Sequence, residues 1–211
     1  MSGAVPPVVR ILGRADYEPV WRAMQAFTRQ RGDASADEIW FVEHPPVFTL
    51  GLAARPEHVL DAGAIPVVRI DRGGQVTWHG PGQLVAYVLL DLRRAGYGVK
   101  ELVRRLEQSV IDLLGDRGVA GERRAGMPGV YVGGAKIAAV GLRVSRGCSY
   151  HGIALNVDAD LAAFERINPC GYPGLAATRL ADLGVRDTMA AVQQGWQAHL
   201  LAGLFAPPAR P

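Results

Sequence analysis

The sequence predicts an α+β fold. Three observations carry that expectation: strand-like apolar segments fall into two blocks, amphipathic helical stripes flank the blocks, and Gly/Pro-rich turns punctuate them. Helices packed on one side of mixed or antiparallel strands fit this order better than an alternating βαβ repeat. With 211 residues and 49% hydrophobic content, the chain can bury one substantial core, so one domain over 1–211 is expected rather than two.

Val8 to Leu12 reads as a short strand. Asp16 can cap a helix from Tyr17 to Gln30, in which Pro19 sits in the tolerant first turn. Tyr17, Val20, Trp21, Met24 and Phe27 recur at helical spacing and form its apolar stripe. Ile39 to Val42 is a strand, interrupted by Glu43-His44-Pro45-Pro46 and resumed from Val47 to Leu50. A proline pair has no place inside a central ladder, so these are two strands joined at a bend or an edge. Pro66 to Ile70 is the next strand. Val99 to Asp116 is a helix with Leu102, Val103, Leu106, Val110, Leu113 and Leu114 on one face, packing on a sheet. Gly129 to Val132, Ala135 to Val144 and Ser149 to Val157 form the second strand block, with Arg146-Gly147 as a hairpin turn. A short helix over Ala159 to Arg166, an irregular stretch from Asn168 to Gly174, and a last helix from Asp187 to about Leu204 complete the chain.

The stretch Arg72-Gly73-Gly74-Gln75-Val76-Thr77-Trp78-His79-Gly80-Pro81-Gly82-Gln83 lies between two strand-like segments and contains a short strand, Gln75 to Trp78. Glycines are needed where backbone turns sharply or approaches a ligand closely. The block therefore reads either as a ligand-cradling hairpin or as a plain glycine-rich turn.

A formal charge of +3 does not indicate a dedicated nucleic-acid binder. The arginine pairs 93/94, 104/105 and 123/124 are either a local basic patch or ordinary solvated helix faces. All but two of the 23 Lys and Arg residues are arginine, the exceptions being Lys100 and Lys136. Guanidinium does not give up its proton, so a retained lysine suggests a titratable amine. Lys136 opens the apolar strand Ile137-Ala138-Ala139-Val140, where desolvation would lower its pKa; an ordinary snorkelling lysine is the alternative. The longest apolar runs, such as Leu84 to Leu90, are far short of the roughly 20 residues that cross a bilayer, and the N-terminus lacks the apolar core of a signal peptide. A cytoplasmic protein with no membrane partner is expected. Cys148 and Cys170 have neither metal-ligand spacing nor an oxidising context, which leaves a single reactive thiol as the live alternative to structural cysteines. Cys170, between Pro169 and Gly171, is the better placed of the two. His79 and His151 each precede a glycine, as proton carriers, orienters or structural groups. No phosphate-binding loop is present, and no metal or cofactor is expected.

Taken together, five motifs in order resemble the lipoyl(octanoyl) transferase family: Glu43 to Gly51, Arg72 to Gln83, Gly134 to Gly141, His151 to Asn156, and Pro169-Cys170-Gly171. The resemblance covers most of the chain. It implies a fold like the catalytic domain of lipoate and biotin ligases, with a central mixed sheet and packing helices. It also implies transfer of an octanoyl group from octanoyl-acyl carrier protein to a lysine of lipoyl domains, those of 2-oxoacid dehydrogenase complexes and the glycine cleavage H protein. Cys170 matches the family's acyl-thioester nucleophile and Lys136 the lysine that lowers its pKa. Arg72, Gly73, Gly74, Gln75, Val76, Thr77, Trp78 and His79 match one substrate-binding stretch, Ala139, Val140 and Gly141 a second, and Gly152, Ile153 and Ala154 a third. Trp78 stands where the family usually has tyrosine, which puts the acyl-pocket shape in question, and Arg179 where serine is common. The chemistry agrees: a thiolate exchanges a thioester without ATP, and a neighbouring ammonium favours that thiolate and relays protons. Two other readings remain, an ATP-dependent lipoate or biotin ligase on the same fold and a non-catalytic binder of acylated carrier domains.

Overall fold

A computed structural model describes residues 6–168 and 174–205. Strands β1 (Val8–Arg14), β2 (Glu38–Glu43), β6 (Gln83–Leu89), β7 (Gly129–Val132), β8 (Ala135–Ser145) and β9 (Cys148–Asn156) form one sheet in the order β1-β2-β6-β9-β8-β7. It is mixed: β1 runs parallel to β2 and the other pairings are antiparallel. A second sheet holds β3 (Val47–Leu50) between β4 (Val67–Arg69) and β5 (Val76–His79).

Every residue of β6 and β9 is buried, because helices cover both faces of the large sheet. Successive strand side chains point to opposite faces, so Leu84, Ala86 and Val88 pack towards α3 (Val99–Gly115) and α5 (Met189–Phe205). Val85, Tyr87 and Leu89 face α1 (Tyr17–Gln30), which supplies Val20 and Met24. The expected one-sided helix layer is thus corrected to a three-layer packing. The α3/α5 side is the larger, and Trp196 is fully buried there, its indole N–H donating to Ser109 Oγ at 2.9 Å.

The glycine-rich block is not a hairpin. Its β5 joins β3 in the small sheet, while β6 enters the centre of the large one. Gly82 explains the crossing. Its N–H donates to Glu43 Oε2 (2.8 Å), and its carbonyl accepts from both Val157 N and Asp158 N. With φ of 80° and Asp158 O only 2.3 Å from where a Cβ would sit, the position admits only glycine. The chain is therefore anchored to the end of β9 instead of turning back. Likewise, Glu43 to Pro46 is a bend that sends β2 and β3 to different sheets, each with a partner on both sides. Asp16 occupies the N-cap of α1 in extended backbone, yet its side chain makes no capping bond. The short helix is trimmed to α4 (Ala162–Glu165), started by the Asp160 carboxylate accepting from Ala162 N. One further helix turn, α2 (Leu92–Ala95), is capped by Asp91 and closed by Gly96 at φ 73°. No described helix is long and apolar enough to cross a membrane.

Candidate active site

A cleft lies where the small sheet meets the β8–β9 ladder. It encloses about 530 Å³ including its open mouth. All the predicted substrate-binding residues except Gly73 and Trp78 line it: Arg72, Gly74, Gln75, Val76, Thr77 and His79, then Ala139, Val140, Gly141, Gly152, Ile153 and Ala154. The last two stretches are one patch, since Ala139 pairs with Ala154, Val140 with Ile153 and Gly141 with Gly152. Strand alternation sorts their roles. Ile153 and Val140 pack into the α3/α5 core, so they meet the cleft through backbone, whereas Ala154 belongs to the opposite face. The same rule on β5 sends Val76 and Trp78 into the small-sheet core.

Trp78 is buried against Phe164, with ring centroids 5.6 Å apart, and a Cβ at Gly80 would lie 2.0 Å from its ring. The indole therefore does not shape the cleft. Gly73 instead ties the loop to β8, its N–H donating to Leu142 O at 2.9 Å. Gly141 makes room for Arg72, whose Cδ would lie 2.9 Å from a Cβ there. Gly152 is required by the sheet itself, because Ala86 O stands 1.9 Å from its hypothetical Cβ. Arg72 is buried, with Nη2 donating to Thr49 O (2.8 Å) and Thr49 Oγ1 (3.0 Å) and Nη1 to Gly73 O (2.9 Å). Its charge is thereby fixed beside the cleft.

Next to it, Asp71 accepts from Trp21 Nε1 (2.8 Å), Gln25 Nε2 (2.9 Å), Tyr150 OH (2.5 Å) and His151 Nε2 (3.0 Å). Burial alone would raise its pKa, but these donors together hold the carboxyl well below the usual carboxylate range. His151 sits in left-handed backbone, φ 61°, with burial pushing its pKa down. Tyr17, Val85, Tyr87 and His151 also line the cleft. Only His151 carried a sequence signal; the two tyrosines and the valine read as core residues because they stand on core stripes. His44 Nδ1 faces Ala15 O (2.7 Å) and its Nε2 faces Tyr87 OH (2.8 Å). Burial lowers the pKa of His44 to about 4 and that of His79 to about 3, and raises those of Tyr17 and Tyr87. The aromatic floor is uncharged at neutral pH.

Lys136 is buried in an adjoining cavity that shares Thr77 and Ala139 with the cleft and is also lined by Gln83, Asn156 and Leu175 to Ala177. Its Nζ donates to Pro128 O (3.2 Å) and stands 5.2 Å from the Tyr131 ring centroid. Gly129 leaves it room: a Cβ there would meet Lys136 Cε at 3.2 Å and Ala138 O at 2.4 Å. The Lys136 N–H donates to Ala176 O (2.8 Å) and its carbonyl accepts from Thr178 N (3.0 Å), which holds the 176–178 segment along the start of β8. Cys170 lies outside the described residues. Cys148 is buried at the far end of the β8–β9 hairpin, paired with Ser145, and burial pushes its thiol pKa up. Arg179 staples the chain after β9, donating to Ala159 O (3.0 Å) and pairing with Asp158 and Asp182. Each arginine pair is bonded to carboxylates: Arg93 to Asp91, Arg94 to Asp37, Arg104 and Arg105 to Glu101, Arg123 to Glu107, and Arg124 to Glu122.

The sequence model of the lipoyl protein ligase A/B catalytic domain matches residues 16–201. The chain belongs to that family. It is 64% identical over 94% of its length to an octanoyltransferase of Azoarcus sp. (strain BH72), covering 88% of that protein. It is 67% identical over 84% of its length to one of Thiobacillus denitrificans, covering 82% of it. Relatedness at this level makes the chain an acyltransferase. Among solved structures, a lipoate-protein ligase A bound with ATP superposes with a TM-score of 0.78 at 16% identity, over 95% of this chain and 86% of that one. A biotin protein ligase from Aquifex aeolicus gives 0.54 at 13% identity, over 95% and 68%. At these identities the two ligases establish the shared fold.

Proposed function

We propose that this chain, acting as one catalytic domain, transfers an octanoyl group from octanoyl-acyl carrier protein to a lysine of lipoyl domains. The acceptors are those of 2-oxoacid dehydrogenase complexes and the glycine cleavage H protein. The reaction runs through a thioester on Cys170. The observation that carries this reading is the placement of Lys136, a buried ammonium beside a cleft walled by Ala139, Gly141, Gly152 and Ala154, with the 176–178 segment hydrogen-bonded to its own backbone. Only five residues lie between Cys170 and Ala176, so that anchoring supports bringing the thiol to the lysine.

In the first half-reaction the Cys170 thiolate attacks the donor thioester carbonyl, and the carrier thiolate leaves and takes up a proton. In the second, the acceptor amine attacks the acyl-enzyme and loses a proton, while Cys170 departs as thiolate. Lys136 favours that thiolate by its charge and carries the proton between the two steps. Burying the methylenes of the acyl chain contributes about 0.8 kcal/mol each, and the small side chains along the ladder leave space for it. The neutral floor of Tyr17 and His79 adds no charge that would oppose an apolar chain.

The test is intact-protein mass after incubation with octanoyl-acyl carrier protein, with and without ATP. An octanoyl adduct should form without nucleotide, map to Cys170 and vanish in Cys170→Ser. Product that appears only with ATP and free octanoate would replace this reading with that of a ligase.

A further inference from the structure

Between the cleft and the Lys136 cavity runs a buried chain of side-chain amides whose hydrogen bonds can be oriented from one end. Asn156 faces Thr178 O at 3.0 Å, and a carbonyl only accepts, so the Asn156 NH₂ must point there. Its Oδ1 then faces Gln83, whose Nε2 donates to it at 3.0 Å and to Trp78 O at 3.3 Å. With its NH₂ committed, Gln83 presents Oε1 to His79 Nδ1 at 2.7 Å. That nitrogen must carry the proton. His79 is neutral, since burial pushes its pKa down, so Nε2 is an acceptor. His79 stacks on Tyr17 with centroids 5.6 Å apart and lines the cleft. All three polar side chains are buried, at 7%, 2% and 4% exposure for His79, Gln83 and Asn156.

The other end of the chain reaches Lys136. Thr178, whose carbonyl orients Asn156, donates its own N–H to Lys136 O. Gln83 and Asn156 also pair across the β6–β9 ladder and both line the Lys136 cavity. Two polar side chains on central strands have to be satisfied where apolar residues would pack at lower risk, and here their satisfaction fixes a tautomer on one side and a chain segment on the other.

We propose that Gln83 and Asn156 are positioning residues for acyl transfer: they hold His79 with Nε2 as a hydrogen-bond acceptor towards an N–H group in the cleft, and they register the Ala176–Thr178 segment on Lys136. The proposal rests on the acyl-transfer reading above and deepens it. In the second half-reaction the N–H that suits His79 Nε2 is that of the attacking amine, a group which must present its lone pair to the carbonyl and turn a hydrogen elsewhere.

The tautomer is read directly by ¹⁵N-edited NMR of the histidine side chains in the full chain. His79 should show a protonated Nδ1 and an unprotonated Nε2, in a pattern that does not change between pH 8 and about 5. Finding Nε2 protonated in the wild type would overturn the proposal without any variant, whatever the turnover. Gln83→Leu should lose the Nδ1–H signature and lower kcat for transfer to the acceptor lysine by about 10- to 100-fold, with KM for the carrier-bound donor little changed. Asn156→Asp, which cannot donate to Thr178 O, should keep the tautomer yet lower the rate of Cys170 acylation. In the His79→Ala background, Gln83→Leu should cost little more; full additivity of the two losses would also overturn the proposal. A requirement for ATP would instead break the acyl-transfer reading and leave the tautomer measurement standing.

Discussion

Behind the Arg72 and His151 side of the cleft, Asp71 is a carboxylate surrounded by donors from α1 and β9, and it immediately precedes the Arg72 to Gly74 loop. In the adjoining cavity, Lys136 is a cation at the start of a strand, set against the Pro128 carbonyl and the Tyr131 ring, among amides and a segment that joins β8 late in the chain. Gly141 stands five positions along β8 from Lys136, about 16 Å at the usual strand rise. The contrast separates two uses of a buried charge. Saturated with donors from fixed elements, the Asp71 carboxylate holds a shape. Lys136 stands in a cavity that shares Thr77 and Ala139 with the cleft, where a charge can act on a reacting group.

The largest effect should come from breaking the Lys136 region. Lys136→Met is expected to reduce octanoyl transfer by about 10²- to 10⁴-fold, the range of a lost acid–base group. It should also return the Cys170 alkylation pKa towards the unperturbed value near 8.5. Lys136→Arg keeps the charge without a transferable proton, so iodoacetamide labelling should survive better than transfer. Alkylation rate against pH for the three proteins measures this. An alkylation pKa that stays put in Lys136→Met would remove the lysine from the mechanism.

The two regions were unequally legible in the sequence. Lys136 announced itself as one of two lysines, at the mouth of an apolar strand. Most cleft residues came as contiguous motifs, because a β-ladder places runs of neighbours side by side. Asp71 gave no signal, since its partners Trp21, Gln25, Tyr150 and His151 come from helix and strand positions that meet only in the tertiary fold. Trp78 belongs to the same motif yet packs in the small-sheet core, because a motif match does not say which face of a strand a residue occupies. Arg72 to Gln83 crosses between sheets where its sequence suggests a hairpin, because local turn chemistry cannot tell a reversal from a crossing when Gly82 is anchored by Glu43 and the end of β9. The α2 turn is written in the sequence only by its start and stop residues, Asp91 and Gly96, since four residues are too few for an apolar stripe.

Glycine substitutions should sharpen the division between shape and chemistry. Gly152→Ala drives a Cβ against Ala86 O in the centre of the sheet. It should destabilise the fold by about 1–3 kcal/mol or more in urea unfolding. Among the described residues Gly74→Val meets no backbone, only Arg72 Nη1 at 3.5 Å, but demands a φ of 87° that valine resists. Its loss should appear in transfer rate more than in the unfolding midpoint. Equal unfolding midpoints for the two variants would show that the cleft glycines are interchangeable.

Acid should then expose the Asp71 region. A carboxyl whose folded pKa is depressed stabilises the protein above its unfolded pKa near 3.9 and loses that contribution as pH falls towards the folded value. His44 and His79, depressed to about 4 and about 3, work at higher pH. Their neutral burial contributes fully above about pH 6.5 and fades as the unfolded state takes up protons below it. Wild-type stability should therefore fall in two stages, first from pH 6.5 and again below 4. Asp71→Asn should flatten the second stage while leaving the first. A variant with an unchanged acid slope would mean that Asp71 contributes no such linkage.

The smallest effect concerns the surface. The arginine pairs invite a reading as the dock for an acidic carrier protein, yet each is already bonded to a carboxylate, and an exposed ion pair contributes roughly 0–1 kcal/mol. Such pairing lowers the local field without abolishing it, because Arg93 and Arg104 remain 68% and 56% exposed. Steering by surface charge is long range and fades with salt. Arg104→Glu should accordingly raise KM for octanoyl-acyl carrier protein a few-fold at low ionic strength, less at 0.5 M salt, and leave a small octanoyl thioester unaffected. Arg93→Glu tests the other end of the molecule, beside Cys148 and far from Lys136. If the carrier must deliver its thioester to a thiol beside Lys136, the pair nearer that cavity has to matter more. Arg123, held to Glu107, whose other oxygen accepts from Gly129 N beside the lysine's own Cε, is that nearer site. Charge reversal there should exceed the effect at Arg93, and the reverse order would place the dock elsewhere.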